Sequence, residues 1–432
     1  MRLRVPSIAG GPPVLAALIA WNAGNFAFFL VAGHMLGPED YGLAVALLAV
    51  TVVLSVPCNA LAYGVARVVA APPGGNPERA TALYHRAWWR ATWLAPALGA
   101  VAGAVIVAVW VAHRDVPVGP LLLTVVAVLP MGALFLSLGA LQGDHRYRGY
   151  AVAFSLMGVP RPIVFVPLAA LGLGVYAAVG ASVVSLGSAA AVGAGLTAAR
   201  LVRAPAPEPG DWSTFLRSLV PMAAGLSGIA VLTNVDVIAA KLALPDRAAG
   251  EFAAVSVLAK AVILVPQAVA IVLLPRIAAR AARGEATGRL LAVAVSLTLV
   301  VGGLVSLVLI PLAEPIVRLA FGSKYVGGAP LLAGFAAAST LLGALIVLVN
   351  HHVGRGDYGF VWAVGGLALV DVALLGAFHG SGAQIVGVDA VVGALGLVIH
   401  EVMHGRSADG VVRNLAGLVR DAQVPGRRRI VG

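Results

Sequence analysis

The chain has 432 residues, of which 60% are hydrophobic and only 11% charged, and its mean hydropathy is +0.97. Soluble domains are closer to half apolar and a quarter charged, so this composition excludes a soluble domain and indicates a polytopic membrane protein. The net charge of +11 does not indicate nucleic-acid binding, because the arginines lie between apolar runs. The single cysteine, Cys58, excludes an intrachain disulfide and a cysteine-based metal cluster.

Apolar runs long enough to cross a bilayer divide the chain into twelve predicted transmembrane helices. They cover residues 13–35, 43–66, 91–112, 119–141, 150–171, 175–199, 215–240, 251–274, 290–311, 329–350, 358–379 and 382–403. The first run continues to Met35, which is too long for the apolar part of a secretion signal, so we interpret it as a span. Tight turns at 172–174 and 379–382 leave eleven or thirteen spans as alternatives.

The second half of the chain repeats the first with an offset of about 209 residues. The offset superposes these pairs: Pro12 on Pro221, Asn25 on Asn234, Pro57 on Pro266 and Arg67 on Arg276. The polar turn at 36–42 (LGPEDYG) recurs one residue out of step at 244–250 (LPDRAAG). Because six spans precede the repeat, both halves enter the membrane from the same side, and we predict parallel repeats around a central cleft.

The predicted all-α organisation is therefore a six-helix repeat at 1–203, a Pro-rich linker at 204–213, a second six-helix repeat at 214–403 and a basic tail at 404–432. Lysine and arginine favour cytoplasmic loops. The loops predicted to be outside hold only Arg114, Lys241, Arg247, Arg318 and Lys324. Both termini are therefore predicted to be cytoplasmic, and the apolar side chains spaced along 411–419 predict a short amphipathic helix on that membrane surface.

Several ionisable side chains fall within the spans, where a charge costs roughly 2.5–3.5 kcal/mol and requires an interior partner or an aqueous cavity. Arg161 and Lys260 could form a cationic floor for a diphosphate, or each could be half of a structural salt bridge, such as Lys260 with Asp236 or Asp371. Asp371 and Asp389 are candidates for binding a coupling proton or sodium ion, although a neighbouring hydroxyl could satisfy either carboxylate.

The amides within the spans are expected to bond across to another helix. Asn25 and Asn234 are a special case, because the repeat places them at the same depth in the two halves. We therefore expect both to face a shared axis and to contribute to the binding cleft.

One enzyme motif is present, the HEVMH segment at 400–404. On a helix, H-E-x-x-H places His400 and His404 on one face with Glu401 as a general base, the arrangement of zinc proteases. Zinc needs a third protein ligand, and the remaining tail offers only aspartates on a surface segment. We therefore assign no catalytic residue, metal or cofactor, and keep the zinc protease as an alternative.

Three segments carry a resemblance to a known family. The LGPEDYG turn at 36–42 resembles a turn found after the first helix in the polysaccharide-exporter branch of the multidrug/oligosaccharidyl-lipid/polysaccharide (MOP) flippase superfamily. NVDV at 234–237 resembles part of that family's seventh helix, and PIVRLAFGSKY at 315–325 resembles its loop before the tenth. The resemblance implies a flippase in the plasma membrane of a bacterium, moving a polyprenyl-diphosphate-linked oligosaccharide to the outer leaflet by alternating access.

The same resemblance implies a lipid-linked glycan as substrate, membrane lipids as surroundings, and glycan polymerases or glycosyltransferases of the same pathway as partners. One alternative is a cation-coupled multidrug or metabolite antiporter of the same superfamily. Another is a polyprenyl-sugar polymerase or ligase, which would normally carry a large outside loop, whereas the segment at 312–328 is short. Flippases for the peptidoglycan precursor usually carry several arginines in the first two helices, and the first two predicted spans here have none.

Overall fold

The computed structural model describes residues 11–91, 117–199, 210–264 and 285–423, together with residues 108 and 208. These residues form helices and turns, with no β-strand among them. The helices are α1 Gly11–Met35, α2 Pro38–Ala70, α3 at 77–91, α4 Val118–Gly143, α5 Tyr147–Ser155, α6 Pro160–Ala170, α7 Gly174–Thr197, α8 Asp211–Leu232, α9 Val235–Ala243, α10 Asp246–Lys260, α11 Gly288–Phe321, α12 Leu332–Arg355, α13 Gly359–Ala377, α14 Gly382–His404 and α15 Val411–Gln423.

Ten helical segments in the described part of the chain are long and apolar enough to cross a membrane. They coincide with ten of the twelve predicted spans, and the all-α polytopic membrane fold is confirmed. Most of the predicted third span lies outside the described residues, as do half of the linker, the eighth span beyond residue 264 and the arginines at 276–283 and 427–429. Within the eighth span, α10 continues into a 3₁₀ turn at Ala261–Ile263.

The second span begins earlier than predicted, at Pro38 rather than at residue 43. Proline suits the first turn of a helix because its missing N–H has no partner there, and its fixed φ is already helical. Glu39 and Asp40 also lie in that first turn, where carboxylates favour the positive end of the helix dipole. The polar turn between the first two spans is therefore reduced to Leu36 and Gly37.

Two spans that the sequence predicts as continuous helices are broken. The fifth span divides into α5 and α6, and Pro160, which cannot donate a backbone hydrogen bond, begins α6. Gly158 lies at this break in close contact with α1, where a Cβ would lie 2.5 Å from the backbone oxygen of Trp21. The break places Arg161 in the first turn of α6.

The seventh span divides into α8 and α9 at Thr233 and Asn234. The Thr233 hydroxyl donates to the Ile229 carbonyl oxygen at 2.7 Å, and the Asn234 amide donates to the Ala230 carbonyl oxygen at 2.9 Å. Such local side-chain bonds compete with the helical backbone and favour its termination. Asp236 thereby lies in the first turn of α9, in a discontinuous span of the kind on which many transporters place their binding groups.

The two repeated turns contact each other at one end of the molecule, which we call the turn end. A Cβ on Gly250 would lie 1.9 Å from the Pro38 carbonyl oxygen, and one on Gly42 would lie 2.8 Å from the Gly250 nitrogen. Glycine is therefore required for α2 and α10 to approach this closely. The Tyr325 hydroxyl also donates to the Leu36 carbonyl oxygen at 3.2 Å, so the halves are closed together at the turn end.

At the opposite end, which we call the tail end, α8 contacts α2 and the segment that follows it. The Arg79 guanidinium bonds the Asp211 carboxylate through Nε at 2.9 Å and Nη2 at 2.5 Å. The hydrogen bond with Asp211 raises the pKa of Arg79 above its ordinary value. Gly64 of α2 lies against Leu219 and Phe215, so α2 packs on the second half at both ends.

Candidate functional site

Three aspartates and a lysine from four helices form a buried group, which we call the carboxylate cluster. Its members are Asp236 of α9, Lys260 of α10, Asp371 of α13 and Asp389 of α14. Lys260 Nζ lies 2.7 Å from Asp236 Oδ2 and 2.9 Å from Oδ1, with the hydrogen bond directed at Oδ1. The Asp236 side chain is fully buried and that of Lys260 is 20% exposed. The ion pair that the sequence offered as the structural alternative for Lys260 is therefore present.

The other two carboxylates of the cluster have no hydrogen bond. Asp371 and Asp389 are each 1% exposed, and none of their four oxygens has a partner among the described residues. The neighbouring hydroxyl considered for them is therefore not found there. Both lie within electrostatic range of Asp236 and Lys260. Three carboxylates face one ammonium group, so the ionised cluster has excess negative charge, which a bound proton or cation would offset.

The lysine of the cluster also contacts an aromatic ring. Lys260 Nζ lies 5.4 Å from the centroid of the Phe335 ring on α12, within the range of a cation–π interaction. Its charge is thus directed to Asp236 and to this ring. The Lys260 ammonium group therefore already has two interaction partners, and it is less available to bind a diphosphate than the sequence alone suggested.

The first half places a cation in the broken fifth span. Arg161 Nη1 donates to Asn25 Oδ1 of α1 at 2.5 Å, and its guanidinium carbon lies 5.4 Å from the centroid of the Phe28 ring. Arg161 Nε is buried and has no hydrogen-bond partner among the described residues. No acidic side chain in the described part of the chain pairs with Arg161, so the salt bridge considered for it is not seen there.

The repeated asparagines do not bond to each other. Asn25 bonds Arg161, whereas the Asn234 amide donates to Ala230 and Thr233 on its own helix. Asn22 and Asn350 likewise donate to the carbonyl oxygen four residues earlier. The expectation that amides within the spans bond across to another helix is therefore wrong for Asn22 and Asn350, whereas Asn25, expected to face the cleft, bonds across to Arg161 of α6.

The H-E-x-x-H segment gains a third imidazole from another helix. His352 of α12 lies beside it, with Nε2 3.1 Å from His400 Nε2 and Nδ1 3.1 Å from Asp357 Oδ2. His404 Nε2 lies 3.2 Å from the same Asp357 oxygen. The expectation that His400 and His404 lack a third ligand is therefore wrong, because packing of α12 against α14 supplies one. We call His352, His400 and His404 the histidine cluster.

Asp357 lies in the loop between α12 and α13, next to the histidine cluster. Burial acts to raise the pKa of Asp357, but the backbone N–H of Gly359, the electrostatic effect of His352 and the hydrogen bonds of His404 and His352 hold that pKa below its ordinary value. The carboxylate is therefore ionised at neutral pH, and an ionised carboxylate only accepts hydrogen bonds. Both His352 Nδ1 and His404 Nε2 must then be donors.

The glutamate of the motif makes its hydrogen bonds to the tail, and its Oε2 lies 4.0 Å from His400 Nδ1, beyond hydrogen-bond distance. Glu401 accepts hydrogen bonds from the backbone N–H groups of Val411 at 3.0 Å and Val412 at 3.3 Å. These are the first residues of α15, where a helix leaves its N–H groups unpaired and favours a negative charge. The helix predicted at 411–419 is thereby docked at the tail end through Glu401.

No protein-family model matches the sequence, and no curated protein matches it. Solved structures with similar folds are found. A lipid II flippase, MurJ, in an inward closed conformation has a TM-score of 0.71 and 12% identity, over 96% of this chain and 93% of that chain. An inward-facing multidrug resistance MATE family transporter of the MOP superfamily has a TM-score of 0.66 and 14% identity, over 96% of this chain and 100% of that one.

The MATE transporter VcmN of Vibrio cholerae, in its bent form, has a TM-score of 0.61 and 14% identity, over 91% of this chain and 95% of that one. These likenesses extend over nearly the whole length of each protein. At such low identities they concern the fold and not the cargo. The chain thus has the fold of MOP-superfamily transporters.

Proposed function

We propose that this protein is a cation-coupled flippase that moves a polyprenyl-diphosphate-linked oligosaccharide from the cytoplasmic to the outer leaflet by alternating access. The observation that carries the proposal is Arg161, a cation within a predicted span with no acidic partner among the described residues. The substrate class rests on the three resembling segments, and the chain shares its fold with a lipid II flippase.

Arg161 is suited to the diphosphate for chemical reasons. Its planar guanidinium can donate two parallel hydrogen bonds to a phosphate, and Nε is unoccupied. An intramembrane charge is costly, so an arginine without a counter-ion there favours a functional role. Asn25 would hold the guanidinium in place through its 2.5 Å hydrogen bond with Nη1.

The carboxylate cluster would bind the coupling cation. Asp371 and Asp389 have unpartnered oxygens, and Asp236 shares its charge with Lys260. A proton or sodium ion entering this group would neutralise part of the excess negative charge and stabilise the packing of α9, α13 and α14. Lys260 thus belongs to the coupling site in this proposal, and Arg161 alone remains from the predicted cationic floor.

The test is flipping of a fluorescent polyprenyl-diphosphate oligosaccharide in vesicles that contain the purified protein. Arg161→Ala is expected to reduce flipping about ten- to a hundredfold, since a hydrogen bond to a charged group contributes roughly 1.5–3 kcal/mol. Arg161→Lys keeps the charge but loses the planar fork, so it should restore flipping only in part. Arg146→Ala, an exposed arginine bonded to the Leu196 carbonyl oxygen, is the matched control. Normal flipping by Arg161→Ala would refute the proposal.

The carboxylate cluster also favours a second candidate, a cation-coupled drug antiporter, and two of the similar structures are MATE transporters. Efflux of a cationic dye from the same vesicles separates the two functions. A flippase should show no dye efflux. An antiporter should show efflux that is lost with Asp371→Asn and unaffected by Arg161→Ala.

A further inference from the structure

We propose that the histidine cluster is a zinc site that joins α12 to α14 at the tail end of the second half. Each of His352, His400 and His404 offers one ring nitrogen, and these three atoms lie within 4.8 Å of one another. The side chains of His352 and His400 are 0% and 1% exposed and that of His404 is 12% exposed. The site thus consists of two buried imidazoles and one largely buried imidazole from two packed helices.

The spacing of the nitrogens suits a tetrahedral ion. Zinc binds histidine nitrogen at about 2.0–2.1 Å, so two such ligands in a tetrahedral site lie about 3.3 Å apart. His352 Nε2 and His400 Nε2 lie 3.1 Å apart. These two nitrogens therefore need to move only a few tenths of an ångström to bind one ion, and the His404 nitrogen lies within 4.8 Å of both.

Asp357 prepares two of the rings for a metal. With His352 Nδ1 and His404 Nε2 donating to its carboxylate, His352 Nε2 and His404 Nδ1 keep their lone pairs. His404 Nδ1 is buried and has no hydrogen-bond partner within the described part of the chain. A carboxylate that bonds the outer nitrogen of a ligating histidine, fixing the tautomer and the ring orientation, is a recurrent feature of zinc sites. The Asp357 side chain is 44% exposed, so it connects the site to the protein surface.

The site is structural rather than catalytic. A zinc protease needs the glutamate of H-E-x-x-H as a general base, but the Glu401 carboxylate bonds the Val411 and Val412 backbone N–H groups. Three imidazoles with a nearby carboxylate favour zinc over the hard cations magnesium and calcium, which take oxygen ligands. A bound ion would hold α12, the loop at Asp357 and α14 as one body.

The experiment uses the full chain, purified in detergent and stripped with a chelator. It is then titrated with zinc against a chromophoric chelator, and the metal content after dialysis is measured. The expected result is about one zinc per chain and a higher unfolding temperature with zinc than without. Cobalt substitution should give the intense visible absorption of a tetrahedral site. His352→Ala should remove the stoichiometric zinc.

Matched variants distinguish zinc binding at the histidine cluster from nonspecific zinc binding at the protein surface. His351→Ala changes the neighbouring histidine, which bonds Asp409 instead, and should keep the zinc. Glu401→Gln should keep it as well, because Glu401 is not a ligand. Asp357→Asn replaces the carboxylate that bonds the outer ring nitrogens of His352 and His404, and should weaken zinc binding about 10- to 100-fold. Zinc well below one per chain, or equal affinity in His352→Ala and the parent protein, would overturn the proposal and leave only a histidine–histidine hydrogen bond.

Discussion

Removing the Lys260 charge should destabilise the protein far more than removing a comparable charge elsewhere. In Lys260→Met, the ammonium 2.7 Å from Asp236 is lost while the apolar stem is largely kept. Asp236, which is 0% exposed, then loses its counter-charge, and Asp371 and Asp389 lose the same neighbour. The single change therefore leaves three buried carboxylates and no cation in the cluster.

Breaking a buried ion pair by removing one partner costs about 3–5 kcal/mol. We expect a loss in this range for Lys260→Met. Replacing both partners with neutral groups of similar volume is often close to neutral. Lys260→Met combined with Asp236→Asn should therefore recover most of the stability, and a double-mutant cycle should give a coupling energy of at least about 2 kcal/mol.

The assay is unfolding in mixed micelles of increasing denaturing detergent, followed by tryptophan fluorescence, together with the amount of protein in the membrane. Lys241→Met is the matched control, since Lys241 pairs with Asp246 at 2.6 Å but Asp246 is 50% exposed. An ion pair with an exposed partner contributes at most about 1 kcal/mol. The reasoning would be refuted if Lys260→Met were as stable as Lys241→Met. It would also be refuted if the double variant were as unstable as Lys260→Met.

Two further predictions concern the two ends of the molecule. Gly250→Leu should insert normally but lose transport, because a Cβ would lie 1.9 Å from the Pro38 carbonyl oxygen and the turn end could not close. The control Gly187→Leu, at a position with open space, should transport normally. Equal transport by the two variants would contradict this prediction. Burial acts to raise the pKa of Asp409, but its hydrogen bond with His351 and the Arg355 charge hold that pKa below its ordinary value. The ionised form therefore stabilises the fold above about pH 4, and this stabilisation is lost as the pH falls through the lowered pKa. Asp409→Asn should be less stable than the parent protein at pH 7 and equally stable well below pH 4. A difference in stability that persists in strong acid would argue against the ion pair.

The spans were predictable because they depend on composition alone. A run of about 20 apolar residues has few alternatives to crossing a bilayer, whatever packs beside it. The break at Pro160 also had a local signal, since Gly158 and two prolines surround Arg161. The break at Asn234 had no local sequence signal as strong, because an asparagine within an apolar run is equally consistent with an intact helix.

The groups that combine residues from several helices were only partly predictable. The pairing of Lys260 with Asp236 was one of two possibilities, since sequence gives the depth of a residue but not the direction in which its helix faces. His352 was missed as a neighbour of His400, although the His351-His352 pair at the end of an apolar run was a visible signal. The sequence alone does not show whether those rings face solvent or a neighbouring helix. The packing of α12 against α14 shows that the His352 ring faces the neighbouring helix.

The contact between Gly42 and Gly250 resembles a contact between the two subunits of a symmetric dimer. In an isologous twofold interface, only a residue on the rotation axis meets its own counterpart. These two glycines occupy corresponding positions in the repeated turns, and the Gly42 Cβ position lies 2.8 Å from the Gly250 nitrogen. In the predicted parallel repeat, the pseudo-twofold axis would pass between them. The two halves would then meet at a pair of residues without side chains, so tilting one half against the other would meet no interlocked side chains at that point.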